Sequence, residues 1–251
     1  MSWVVPEMTL AKIGEPATFN PQLATRNQQP ATQQTIVFIT FTKTVKPMCF
    51  YFGLPENIGV IKKRFKREVS NTAVYEPSEK YNGFAHPNNL IITNDHPDVI
   101  TTASWGLLPQ WSKDPTFRKN TLNARIETVS HLPSFRDYND NRCLIPASRF
   151  YEWQHVGKTK IPHIIVSSEH ENDLFCFAGL YSDWTNSANG EQLRTFTILT
   201  TEANNTMKYV HNSKERMPVI LHQADEDRWL KGANTNEFAF PYNCMLAAFK
   251  V

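Results

Sequence analysis

The residue with the least ordinary chemistry in this chain is Cys49, directly after Met48. A chain that starts at Met48 and loses that methionine exposes Cys49 with a free α-amine and a thiol two carbons apart. Only an N-terminal cysteine offers this 1,2-aminothiol. Its amine condenses with an aldehyde to a Schiff base, and its thiol then closes a five-membered thiazolidine ring. An α-amine is roughly one-seventh neutral at pH 7, against about one part in 2,500 for a lysine side chain, so it attacks without special tuning. The competing reading of Cys49 is a small buried hydrophobe in a first strand.

Further groups capable of chemistry follow in four blocks: Trp105-Gly106-Leu107-Leu108-Pro109-Gln110-Trp111, Asn123-Ala124-Arg125-Ile126-Glu127, Cys143 to Trp153, and His211 to Leu221. Schiff-base formation needs a proton shuttle to expel water, and a carboxylate or imidazole titrating near the operating pH suits it. Glu152 lies between Tyr151 and Trp153, an apolar setting that raises a carboxyl pKa by desolvation. Arginines such as Arg125 and Arg216 hold phosphate bidentately, and tryptophans stack on bases without reading sequence. Each residue has a plainer reading. Glu152 fits a solvent-facing strand position with Tyr151 and Trp153 packed inward, and His211 fits an ordinary hydrogen-bonding histidine. Trp105 and Trp111 fit core anchors, Arg125 and Glu127 fit a local ion pair, and the basic run Lys62 to Arg67 fits a solvated helix face.

Met48-Cys49 and these four blocks, in this order, resemble the SOS response-associated peptidase (SRAP) family over roughly Met48 to Trp229. The resemblance implies covalent capture of abasic sites in single-stranded DNA through Cys49, with possible self-cleavage exposing that residue. It implies a catalytic set of Cys49, Asn123, Glu152 and His211, with Glu152 as acid–base carboxylate and His211 helping to open the sugar ring. Asn123 would orient the reacting centre. Asn82, in Tyr81-Asn82-Gly83-Phe84-Ala85, would line the DNA groove with Trp105 and Trp111, while Arg125 and Arg216 would hold phosphates. No cofactor and no metal are implied, and a monomer is expected. The sequence departs from the family pattern in three places. Phe50 and Tyr51 replace a Gly-Arg pair, so Tyr51 would stack where an arginine is missing. Four residues separate His211 from Arg216, where many members have one. Residues 1–47 precede Met48, and while attached they turn the Cys49 amine into an amide. The alternative function is an N-terminal-nucleophile peptidase or amidase in which the Cys49 thiolate attacks a carbonyl and its α-amine is the base. A third is non-covalent single-strand binding.

Strands must carry most of these groups. Residues 49–53, 90–93, 99–105, 142–146, 161–167, 174–180 and 196–200 read as strands between turn signals. Residues 57–69, 203–210 and 224–231 read as helices. No βαβ rhythm or internal repeat is visible, which predicts an α+β single domain over residues 48–251, with a large, curled, mainly antiparallel, barrel-like sheet flanked by helices. Residues 1–47 are rich in Gln, Thr, Asn and Pro without periodicity. They read as an extension foreign to the domain, either a mis-assigned start or a removed segment.

The bulk numbers set outer limits. A chain of 251 residues with 41% hydrophobic and 20% charged residues can bury a core. A net charge of +2 rules out a strong global field for a polyanion, so any DNA site must be a local patch. Four cysteines spread over the sequence, with no C-x-x-C pair, predict reduced thiols and a cytoplasmic location. No apolar run is long enough to span a bilayer.

Overall fold

Apolar alternation and buried apolar runs build five strands that close on themselves. These are β4 (Asn88–Thr93), β5 (His96–Trp105), β7 (Arg142–Ala147), β10 (Phe175–Thr185) and β11 (Gln192–Glu202). Hydrogen bonding runs β5-β4-β7-β10-β11 in antiparallel pairs, and β11 returns to β5 in parallel through Thr195 beside Ser104 and Phe196 beside Trp105. The sheet is thus a five-stranded barrel, the curled sheet expected. Closure removes the open edges that a flat sheet would expose. The computed structural model describes residues 50–70, 73–169 and 174–251; Cys49 and the extension 1–47 lie outside the described residues.

A second, open sheet lies beyond the barrel, in the order β14-β9-β8-β1-β3. Its strands are β1 (Tyr51–Leu54), β3 (Ser78–Asn82), β8 (Arg149–Val156), β9 (Thr159–Ser167) and β14 (Leu246–Lys250). On β1 and β8, Phe52 and Phe150 are fully buried, and Phe52 meets Trp105 and Phe177 of the barrel at 5.1 and 5.7 Å between ring centroids. Burying side chains of this size stabilises by about 1.5–3 kcal/mol each, so this aromatic layer holds the second sheet on the barrel. Short strands complete the set: β2 (Glu68–Val69) beside β5, β6 (Asn123–Arg125) parallel to β11, β12 (Arg216–Pro218) beside β11 and β13 (Ile220–Leu221) beside β10.

Among the described residues three α-helices flank the sheets: α1 (Ile58–Phe65), α2 (Asn205–Val210) and α3 (Glu226–Leu230). The Asn57 side chain caps α1 by accepting from the Val60 amide. The helix ends earlier than the basic run suggests, because Lys66 takes a left-handed conformation (φ 52°) and the chain re-enters a sheet at Glu68. Nor is the basic face wholly solvated. Arg64 is buried and pairs with Glu226 of α3 at 2.6 Å, with its Nε donating to the Leu174 carbonyl. No helix among the described residues is long and apolar enough to cross a membrane.

Candidate active site

The site is assembled where the N-terminal end of β1 meets β3, β8 and the end of α2. In the antiparallel register Tyr51 faces Asn82 on one side and Tyr151 on the other. Phe50, peptide-bonded to Cys49, accepts from the Gly83 amide at 2.8 Å and packs its ring on Phe84 at 4.5 Å. The chain therefore enters the described structure between Asn82 and the strand that carries Glu152. Gly83 matters here, since a Cβ at that position would sit 3.1 Å from the Trp105 ring. The Asn82 side chain caps the short turn Gly83–Ala85 by accepting from the Phe84 amide at 3.1 Å.

Strand alternation puts Phe150, Glu152 and Gln154 on one face of β8, and all three are buried. Tyr151 and Trp153 lie on the other face. Glu152 is therefore buried, as an acid–base carboxylate should be, but it is not wedged between those two rings as their sequence positions suggest. Its Oε2 lies 3.9 Å from Nε2 of His211, and both side chains are less than a tenth exposed. At that separation there is no direct hydrogen bond. A single substrate oxygen about 2.8 Å from each could touch both groups.

His211 is the C-cap of α2, whose start is capped by Asn204 accepting from the Met207 amide. The long turn after His211 does not carry the chain away. Glu215, at φ 52°, folds it back so that the Glu215 amide donates to the His211 carbonyl. The Arg216 carbonyl then accepts from His211 Nδ1 at 3.0 Å, which leaves Nε2 directed at Glu152. Burial holds the imidazole below its ordinary pKa, outweighing that carbonyl bond, and nearby Lys214 pushes the same way. The neutral imidazole carries its proton on Nδ1, so Nε2 is free to take one. Asn212 fastens the turn to β8: its Oδ1 accepts from the His155 amide at 3.0 Å and its Nδ2 donates to the His155 carbonyl at 2.9 Å. No sequence signal marks Asn212 beyond its place beside His211.

The remaining expected residues divide. Asn123 opens β6, half-buried, beside Ile198 of β11. Two residues on, Arg125 is exposed and has no ion pair among the described residues. Arg216 differs sharply, being buried with its guanidinium held by Glu127 through two 2.8 Å bonds and by the Thr200 carbonyl at 2.7 Å. Burial would raise the Glu127 carboxyl, but the hydrogen bonds and charge of Arg216 hold it below the ordinary carboxylate range. Glu127 thus pairs with Arg216, not with Arg125. Trp105 requires a correction. It is fully buried, stacked on Phe196, with its indole N–H donated to the Leu122 carbonyl, so no base can reach its face. Trp111 is 52% exposed and braced edge-on by Phe117, a ring that a base can reach. It lies toward the β10–β11 hairpin, where Trp184 donates to the Ser112 carbonyl, whereas Arg125 and Arg216 lie at the other end of β11. Tyr51 is engaged by Lys80, whose ammonium stands within about 5 Å of the Tyr51, Tyr151 and Trp153 rings. Lys80 had no motif to mark it.

The chain is similar to known proteins in sequence and in fold. The chain is 44% identical to the abasic site processing protein YoqW of Bacillus subtilis over 193 residues, covering 75% of this chain and 83% of that one. It is 33% identical to the abasic site processing protein HMCES of Gallus gallus over 155 residues, 53% of this chain and 45% of that one. A crystal structure of a Bacteroides thetaiotaomicron protein superposes with a TM-score of 0.72 at 29% identity, over 81% of this chain and 92% of that one. The family model for SOS response associated peptidase (SRAP) matches residues 48–249, from the methionine before Cys49 into β14, and on that match the chain belongs to the SRAP family.

Proposed function

We propose that this protein processes abasic sites in single-stranded DNA by forming a covalent bond to them through Cys49. The observation that carries the reading is the buried Glu152–His211 pair, at the end of the sheet where the chain arrives from Cys49. Family membership and the abasic-site names of its relatives supply the substrate class.

In this reading the α-amine of Cys49 attacks C1 of the ring-opened sugar, an aldehyde, to give a carbinolamine. His211 and Glu152 relay a proton to the departing hydroxyl, and water leaves to give the Schiff base. The Cys49 sulfur then adds to the imine carbon, its proton passing to nitrogen, and the thiazolidine closes. One water is lost overall and no bond in the DNA backbone is broken. Low-polarity surroundings suit such a relay, because each proton transfer occurs between groups shielded from solvent. Asn123 orients the sugar, Arg125 holds a phosphate, and Asn82 and Trp111 line the strand. Arg216 serves differently from the family expectation: with its guanidinium tied to Glu127, it fixes the carbonyl that orients His211. The amine must be free, so the Met48–Cys49 bond must be absent, whether residues 1–47 are untranslated or cleaved away.

The test is incubation of protein beginning at Cys49 with an abasic single-stranded oligonucleotide, followed by a denaturing gel and intact mass. The expected adduct has the mass of protein plus oligonucleotide less one water. Cys49→Ala should abolish it, and Cys49→Ser should leave at most a borohydride-trappable Schiff base. Turnover of an amide substrate without an adduct would favour the N-terminal-nucleophile hydrolase instead.

A further inference from the structure

Three residues far apart in the sequence converge away from this pair. Glu169 follows β9, His222 follows β13, and Cys244 precedes β14. His222 Nδ1 lies 2.8 Å from Glu169 Oε2 and 3.4 Å from Cys244 Sγ, and the three donor atoms lie within 4.8 Å of one another. We propose that Glu169, His222 and Cys244 form a binding site for a borderline-soft divalent cation of the zinc class.

The donor set is what such an ion selects: one thiolate, one imidazole and one carboxylate, with a fourth position left for water. Tetrahedral coordination at ordinary zinc distances separates a sulfur from a nitrogen donor, or a nitrogen from an oxygen donor, by about 3.4–3.6 Å. The sulfur–nitrogen distance already meets this, and the nitrogen–oxygen contact needs to open by well under 1 Å. The ligands are also supported from behind. Glu169 uses its other oxygen to accept from the Met245 amide, and the His222 amide donates to the Tyr242 hydroxyl, which in turn donates to Asp225. Such outer contacts orient metal ligands. Cys244 is fully buried while His222 is partly exposed, so an ion can enter from the histidine side. Binding releases the Cys244 thiol proton and moves the imidazole proton from Nδ1 to Nε2, so affinity rises with pH. The bound ion would fasten the start of β14 to the ends of β9 and β13.

Cobalt(II) titration of the full chain carrying Cys49→Ala tests this, since Cys143 and Cys176 lie inside the barrel on β7 and β10, whereas Cys244, though buried too, touches the partly exposed His222 and is the thiol that a metal entering there meets. One equivalent of cobalt should produce a thiolate-to-cobalt charge-transfer band that zinc displaces. Cys244→Ser should remove the band, and Glu169→Gln should weaken binding by about tenfold or more while keeping the fold, checked by circular dichroism. Absence of the band, or its survival in the Cys244→Ser protein, would overturn the site and leave a hydrogen-bonded cluster only.

Discussion

Two pairs of buried ionisable side chains in this protein are built on different plans. Arg64 and Glu226 join α1 to α3 at 2.6 Å with a second contact at 3.3 Å, and the arginine also donates to a backbone carbonyl. Burial pushes the Glu226 carboxyl up against the pull of Arg64. Glu152 and His211 are equally buried but stand 3.9 Å apart, and one of the two is held from behind by the carbonyl of Arg216. The first pair is closed on itself and has nothing left to offer a substrate. The second pair stands too far apart for a direct hydrogen bond between its members, and in the proposed mechanism a reacting oxygen bridges them. Burial is common to both pairs; the separation between the partners is what differs, and the proposed function assigns chemistry to the wider pair.

The contrast can be broken most forcefully at Glu152. Glu152→Gln should lower the rate of crosslinking by about 10²–10⁴-fold, the usual loss when a positioned acid–base group is removed, while changing the urea midpoint little. A folded Glu152→Gln protein that crosslinks at the wild-type rate would return Glu152 to the structural class. Arg64→Ala should do the reverse. It leaves an uncompensated buried carboxylate and should cost about 3–5 kcal/mol in urea denaturation, with crosslinking by the folded fraction preserved.

The two arginines sharpen the comparison at smaller amplitude. Arg125→Ala should reduce the salt slope of single-stranded DNA binding by about 0.7, the value for one phosphate contact. Arg216→Ala should leave that slope unchanged and instead destabilise the protein and slow crosslinking, because it frees Glu127 and loosens the carbonyl behind His211. A salt slope that falls for Arg216→Ala would restore it to the DNA surface.

The smallest effect is in pH. The folded protein holds His211 below its ordinary value of 6.5, so the unfolded chain binds more protons between the lowered value and 6.5. Stability should therefore rise with pH across that window and level off above it, and His211→Ala should flatten this rise. Urea midpoints between pH 5 and 8 measure it.

How much of this was legible in the sequence depended on range. The barrel strands carry runs such as Leu174 to Leu180, whose apolar character announces burial without reference to partners. β3 does not: an edge strand with Tyr81 as its one buried side chain, it gave no alternation to read. Glu152 was legible as a candidate acid in an apolar setting, with a solvent-facing position as the rival reading, but not which face it takes, because β8 has buried residues on both faces through Tyr151 and hides the alternation. Arg64 read as part of a solvated run, since Glu226, its partner, is 162 positions away. Trp105 read by itself more readily as a core anchor, and by the family resemblance as part of the DNA groove; the neighbouring Phe196 and Phe52 decide for the core. The groups at Glu169, His222 and Cys244 were invisible for the same reason as Arg64: the sheets bring them together, and no spacing foretells it.

In the proposed mechanism Cys49 acts only with a free α-amine. Two preparations test it most directly, one starting at Met48 and one carrying residues 1–47, each assayed by intact mass and then by a denaturing gel with abasic single-stranded DNA. The shorter protein should lose its methionine and crosslink, whereas the longer one should bind the DNA without a covalent adduct for as long as its Met48–Cys49 bond is intact. Full crosslinking by the longer protein, with that bond shown intact by mass, would contradict the α-amine mechanism and move the chemistry to a lysine Schiff base.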